Sequence, residues 1–253
     1  MNVQGQAAIV TGGASGLGAA TASALRGRGA SVAIIDADDK RAHDYAAEIG
    51  ALALTCDVRD GDSAERAVEA AREAHGPARI LVNCAGIGTP GKAVGRDGPL
   101  PLEVFSRVIE VNLIGTFNVI RLAAAEMQKL DTVDDDERGV IVNTASVAAY
   151  DGQIGQVAYS ASKGGVVGMT LSLAREFAQF GIRVVTIAPG IFETPMLRGL
   201  PEAAQQSLAA SIPYPSRLGH ASEYAALVMH ILDNHMLNGE VIRLDGAIRM
   251  APR

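Results

Sequence analysis

Seven short runs of β-branched and apolar residues, at 7–10, 32–35, 51–55, 80–82, 140–142, 184–187 and 241–244, recur along the chain with helical stretches between them. Strands that alternate with helices predict a parallel sheet, because a parallel neighbour has to be reached by a crossover connection. The runs are apolar throughout instead of alternating, so both faces of that sheet need cover. The expected architecture is α/β: a single-domain Rossmann fold over residues 1–253, with a seven-stranded parallel sheet and helices on both faces. A chain of this length buries roughly three quarters of its unfolded surface, enough for a sizeable core.

Composition narrows the partners. The formal net charge of −6 comes without a basic cluster, which argues against nucleic acid. Cys56 and Cys84 have no CxxC spacing and read as buried free thiols in a reducing compartment. The N-terminus lacks a basic segment followed by an apolar one, and no apolar run approaches the ~18 residues of a membrane span. These features lead to the expectation of a cytoplasmic protein that starts at Met1 and does not engage a membrane. His230 and His235 stand off the one-face spacing of a helical zinc site, and no metal is expected.

Three stretches break the strand–helix rhythm. Residues 86–101 (GIGTPGKAVGRDGPLP) predict a long loop at the carboxyl edge of the sheet, where ligands bind. Residues 191–219 hold four prolines and a short helix-like piece and predict a lid. The acidic run 130–138 (LDTVDDDER) predicts a solvated turn without a function.

The first run leads into Thr11-Gly12-Gly13-Ala14-Ser15-Gly16-Leu17-Gly18 and then an Ala-rich helix. Glycines there let the backbone approach a pyrophosphate, whose charge meets the free N–H groups of the helix start. Such a turn alone serves equally as a tight strand-to-helix connection. The second run changes the balance, because it ends in Asp36, about 20 residues on, where a carboxylate can accept both ribose hydroxyls of an adenosine. That carboxylate would repel a 2′-phosphate, and no Arg or Lys lies in 12–18 or immediately after Asp36 to neutralise one. NAD is therefore favoured over NADP. Asp36 could also cap the helix starting near Asp39, which is compatible with this role.

Tyr159 and Lys163 lie four residues apart in a helix-compatible run, so both project from one face. To act as a base, tyrosine must drop from a pKa near 10 by ~3 units, or ~4 kcal/mol. One cation at ~4 Å contributes about that much at an effective dielectric of ~20. Lys163 is the obvious cation, although spacing alone fits an ordinary exposed pair as well. Ser146 follows the strand 140–142 closely, putting its hydroxyl at the carboxyl edge, where it can bond a substrate oxygen.

With these residues assembled, the chain resembles the short-chain dehydrogenase/reductase family from end to end. The matching motifs are TGGASGLG at 11–18, Asp57-Val58, NCAG at 83–86, Asn112 in VNLIGTF, Ser146, YSASK at 159–163 and PGIFET at 189–194. The resemblance implies that Ser146, Tyr159, Lys163 and Asn112 are catalytic, Asn112 holding a water in a proton relay through Lys163. It implies that Gly12, Ser15, Gly16, Leu17, Gly18, Asp36, Asp57, Val58, Asn83, Ala85, Gly86, Tyr159, Lys163, Pro189, Gly190, Ile191, Phe192 and Thr194 surround NAD, with Asp57 and Val58 at the adenine.

Two long stretches, 111–127 and 139–171, are similar to one subgroup, the type II 3-hydroxyacyl-CoA dehydrogenases. That implies oxidation of an (S)-3-hydroxyacyl-CoA with NAD and a homotetramer, joined through the Tyr159 helix, the 113–127 helix and the C-terminal 246–253 segment. The small-molecule partner is then an acyl-CoA or a similar secondary alcohol or ketone. Three other readings stay open: a broad secondary-alcohol or hydroxysteroid dehydrogenase, a 3-oxoacyl-carrier-protein reductase, and a non-catalytic NAD-binding scaffold protein. Lys92 and Arg96 are the only cations of the 86–101 loop and meet CoA phosphates or are simply solvated.

Overall fold

All seven expected runs form strands of one sheet in the computed structural model, which describes residues 1–194, 197 and 201–252. They are β1 (Ala7–Thr11), β2 (Ser31–Asp36), β3 (Leu52–Thr55), β4 (Ile80–Asn83), β7 (Gly139–Thr144), β8 (Ile182–Pro189) and β9 (Val241–Leu244). Their order is β3-β2-β1-β4-β7-β8-β9, and every pairing is parallel. The chain direction across the sheet reverses between β1 and β4. That switch point opens a crevice at the carboxyl ends of the strands.

The side-chain period of two sends alternate residues to opposite faces. Val82 and Val142 join Leu25 of helix α1 (Gly16–Gly27) and Tyr224, Val228 and Ile231 of helix α8 (Ala221–Asp233) in one core layer. Leu81 and Ile141 join Ile120 and Met127 of helix α5 (Gly115–Met127) and Leu173 of helix α6 (Val157–Phe177) in the other. Each such fully buried side chain stabilises the fold by roughly 1.5–3 kcal/mol. Helix α2 (Asp39–Ile49) starts where the Asp38 carboxylate accepts the Arg41 N–H at 3.1 Å and stops at Gly50, whose φ is 68°. Helix α3 (Gly61–His75) is capped likewise by Asp60.

The irregular stretches hold more order than their composition suggests. The 86–101 loop contains a small antiparallel hairpin, β5 (Val94–Gly95) with β6 (Gly98–Pro99), ahead of helix α4 (Leu102–Ile109). Within 130–138, Glu137 is buried and pairs with Arg183 Nε at 2.5 Å, so that run is not merely a solvated turn. The long segment 191–219 carries helix α7 (Glu202–Ala210), and its two ends are joined by a parallel bridge between Phe192 and Gly219. Part of the expected lid, at 195–196 and 198–200, lies outside the described residues.

One expectation needs amending. The continuous helical stretch Leu102–Met127, formed by α4, a π-helical turn (Glu110–Ile114) and α5, is long and apolar enough to cross a membrane. Half of its apolar 18-residue window is buried in the fold, and Val108, Val119, Ile120, Ala123 and Met127 are among the covered side chains of the stretch. That is the environment of a core helix.

Candidate active site

The cofactor side is built around two glycines. Gly12 turns with φ 61°, and a Cβ there would stand 2.7 Å from the Ala85 nitrogen. A Cβ on Gly18 would run into the Gly12 carbonyl oxygen. Only glycine lets β1, the turn and α1 approach this closely. Ser15 is the N-cap of α1, but its side chain makes no capping bond, and no acidic residue stands in the first turn. The helix start therefore offers its N–H groups and its positive end to an anion. Asp36 ends β2 beside it. Its Oδ2 accepts the Ala14 N–H and its Oδ1 the Asp38 N–H, both at 3.1 Å. The cap of α2 is Asp38, not Asp36, so the Asp36 carboxylate faces the glycine turn.

The other positions expected near the cofactor lie around the switch point. Asp57 follows β3 and is held by Arg59, whose guanidinium pulls the carboxyl below its ordinary range. Val58 is buried against Gly115. The Asn83 side chain donates to Asn143 Oδ1 at 2.9 Å, and the Ala85 N–H donates to Thr11 Oγ1 at 3.2 Å, binding the ends of β1, β4 and β7 together. A Cβ on Gly86 would lie 3.5 Å from Lys163 Nζ. Pro189 ends β8, and the Gly190 N–H donates to Leu244 O at 2.9 Å, with Ile191, Phe192 and Thr194 following at the root of the 191–219 segment. A glycine cradle, an open helix start and a carboxylate one strand over fit a nicotinamide dinucleotide.

Tyr159 and Lys163 lie on α6, and Ser146 caps a short turn (Val147–Ala149) just past the end of β7. Ser146 Oγ accepts the Ala148 N–H at 3.1 Å, which leaves its proton for another acceptor. Lys163 is buried, and its Nζ lies 5.8 Å from the centroid of the Tyr159 ring. It donates to the Thr144 carbonyl at 2.7 Å. Asn112 sits in the π-helical turn and clamps the Ile87 peptide, accepting its N–H at 2.8 Å and donating to its carbonyl at 2.9 Å; it also donates to Ser162 Oγ at 3.0 Å. Its side chain thus fixes the loop after β4 against α6.

The electrostatics of the protein alone run against the simple expectation for Tyr159. Burial pushes the phenol up, while contact with the Ser146 hydroxyl draws it down. Burial also lowers Lys163 to about 8. A buried ammonium with one carbonyl acceptor is poorly compensated, and desolvation outweighs its neighbours. Sequence reasoning missed the groups beneath this site, Thr144 and Tyr224, whose hydroxyls lie 2.7 Å apart. A tyrosine on the apolar face of an otherwise aliphatic helix was the signal for the second.

A crevice at the switch point, a nucleotide cradle and a Ser–Tyr–Lys group on its rim define a dehydrogenase of the short-chain type. The model of the short chain dehydrogenase family matches residues 6–205, and the chain belongs to that family. It is 52% identical to the 3-hydroxyacyl-CoA dehydrogenase type-2 of Bos taurus, over 99% of this chain and 98% of that protein. It is 51% identical to the protein of the same name from Drosophila melanogaster, over 99% of this chain and 100% of that one. The crystal structure of 3-hydroxyacyl-CoA dehydrogenase type-2 from Mycobacterium avium superposes with a TM-score of 0.93 at 42% identity, covering 98% of each chain.

Proposed function

We propose that the protein oxidises 3-hydroxyacyl-CoA to 3-ketoacyl-CoA with NAD, and catalyses the reverse reduction. The observation that carries this reading is the meeting of Ser146, Tyr159 and Lys163 beside the glycine cradle, in a chain similar over its full length to dehydrogenases of that name. NAD, when bound, supplies the hydride acceptor and, in its oxidised form, a positive ring that favours the phenolate.

In oxidation, Ser146 holds the alcohol oxygen, and Tyr159 takes its proton as general base. The Lys163 ammonium stabilises the phenolate that does so, and Asn112 keeps the β4 loop in register with α6. In reduction Tyr159 returns the proton as general acid. Oxidation releases a proton, so the equilibrium moves towards the ketone by about tenfold per pH unit. Asp36 selects NAD over NADP by repulsion. The nearest cations on α2 are engaged elsewhere, Lys40 with Asp44 at 2.6 Å and Arg41 with Asp38 at 3.6 Å.

A homotetramer is part of this proposal. Ile114, Phe117 and Leu171 are about half exposed along the 113–127 helix and α6, and Gly164 and Gly168 face open space, which suits a second copy. The C-terminal segment to residue 252 would add a second contact; Arg253 lies outside the described residues. A cytoplasmic setting accords with the two free thiols.

The deciding experiment compares initial rates with acetoacetyl-CoA and with a ketosteroid, each with NADH and NADPH. Turnover of acetoacetyl-CoA with NADH well above the other combinations is expected. Preference for the steroid, or for NADPH, would overturn the assignment.

A further inference from the structure

Around Thr144, whose carbonyl receives Lys163, lies a largely covered chain of hydroxyl and thiol groups that the reaction does not consume. Tyr224 on α8 is fully buried, and its hydroxyl stands 2.7 Å from Thr144 Oγ1. Thr144 Oγ1 lies 2.6 Å from the Asn83 carbonyl and 3.4 Å from Cys84 Sγ. Cys84 Sγ in turn lies 3.7 Å from the Tyr224 oxygen.

Donor accounting sets the direction of this chain. A carbonyl oxygen can only accept, and the close Asn83 contact is much stronger than one to sulfur, so the single Thr144 hydroxyl proton goes to Asn83. Tyr224 must then donate to Thr144, and the Cys84 thiol donates to Tyr224. Burial holds both the Tyr224 phenol and the Cys84 thiol in their protonated forms.

The location gives the chain its consequence. The ladder between β4 and β7 ends at Asn83 and Asn143, so Thr144 is held on that side by its own hydroxyl rather than by strand pairing. The carbonyl of the same residue receives the Lys163 ammonium, and Ser146 follows two positions later. We propose that Tyr224 is a positioning residue: its hydroxyl grips the end of β7 at Thr144, and so sets the carbonyl that holds the Lys163 cation at the site. This rests on the reading of Ser146, Tyr159 and Lys163 as the reacting group.

The titratable groups near Lys163 are Tyr159 on its own helix and Cys84 just after β4, while Tyr224 from α8 reaches it only through Thr144. Among the described residues no carboxylate pairs with the Lys163 ammonium, and the protonated Cys84 thiol carries no charge to offer it. A loosened carbonyl would therefore leave the cation without a substitute.

The test uses a convenient property of the sequence, which has four lysines, at 40, 92, 129 and 163. Isotope-labelled lysine ε-carbons report the Lys163 titration by NMR, near pH 8 in the unmodified protein. In Tyr224→Phe that midpoint should fall by about half a unit or more, because the ammonium loses its ordered acceptor. The acid limb of the kcat profile for oxidation should move up by a similar amount, with KM for the acyl-CoA within about twofold. Thr144→Val removes the receiving hydroxyl from the other side and should give the same shift, and the double variant should add little to either. A Lys163 titration unchanged in either folded variant overturns the proposal, even if stability falls. If the unmodified protein does not reduce acetoacetyl-CoA, the substrate reading fails, while the lysine titration still decides the role of Tyr224.

Discussion

One carboxylate oxygen of Asp36 accepts the backbone N–H of Ala14 at 3.1 Å, tying the end of β2 to the glycine turn after β1. The residue therefore shapes the cradle as well as holding the carboxylate to which the proposed function assigns a ribose. Asp36→Ala should weaken NADH binding at least ~10-fold, about 1.4 kcal/mol, and erase most of the discrimination against NADPH. Fluorescence titration with both nucleotides measures this, and unchanged affinities would refute it.

Tyr159→Phe removes only the phenolic oxygen from α6. Turnover should fall by ~10²–10⁴-fold, the range for losing a general acid–base group, with NADH affinity retained. Retained turnover would dismiss Tyr159 as the base.

Lys163 titrates at about 8 in the folded protein against 10.5 when unperturbed. Between those values the unfolded chain binds more protons than the native one, so this group makes stability rise with pH across that window. Below about pH 8 the burial penalty is present in full. The gain between pH 8 and 10.5 amounts to at most about 3 kcal/mol. Lys163→Met lacks this slope, and thermal melts of the two proteins from pH 7 to 10 should show the difference closing in favour of the unmodified chain. Parallel curves would contradict the assignment.

Glu223 accepts both Arg217 Nη atoms and the His220 N–H, which ties the end of the 191–219 segment to the start of α8. The Arg217 hydrogen bonds hold its carboxyl at about 2. Its contribution is thus complete above about pH 4.5 and is lost as pH falls towards 2. Both side chains are partly exposed, so the ion pair itself is worth little, and the capping bond accounts for most of the effect. Glu223→Ala should cost ~1 kcal/mol at neutral pH in a denaturant melt and nothing measurable near pH 2.

Lys92 and Arg96 are exposed on and beside the β5–β6 hairpin, within reach of solvent-borne phosphates. Replacing both by Ala should raise KM for acetoacetyl-CoA several-fold at low salt with kcat unchanged, an effect that disappears as ionic strength rises. Equal KM values would assign them to the solvated surface.

The fold was legible because its signal is long-range and redundant: seven apolar runs at crossover spacing specify a parallel sheet, and a glycine turn placed between β1 and α1 specifies the crevice. The β5–β6 hairpin was not legible, since its two-residue strands carry no periodicity and their Gly/Pro content reads as loop. The burial of Glu137 was hidden for a related reason. Its partner Arg183 lies 46 positions away, and nothing local distinguishes it from its acidic neighbours.

By itself the sequence determined the seven strands of the sheet and the glycine turn, since each rests on local chemistry, strand pattern and glycine φ; the candidate reacting residues came from ordered motifs, because residues four apart on a helix do not single them out. Only the tertiary structure decided how those residues are supported and charged. Desolvation and donor direction depend on which groups from β4, β7 and α8 meet around Thr144, the residue whose carbonyl holds Lys163, and no spacing along the chain encodes that. Tyr224 meets Thr144 across 80 residues of sequence, and the sheet between them is what brings the pair together.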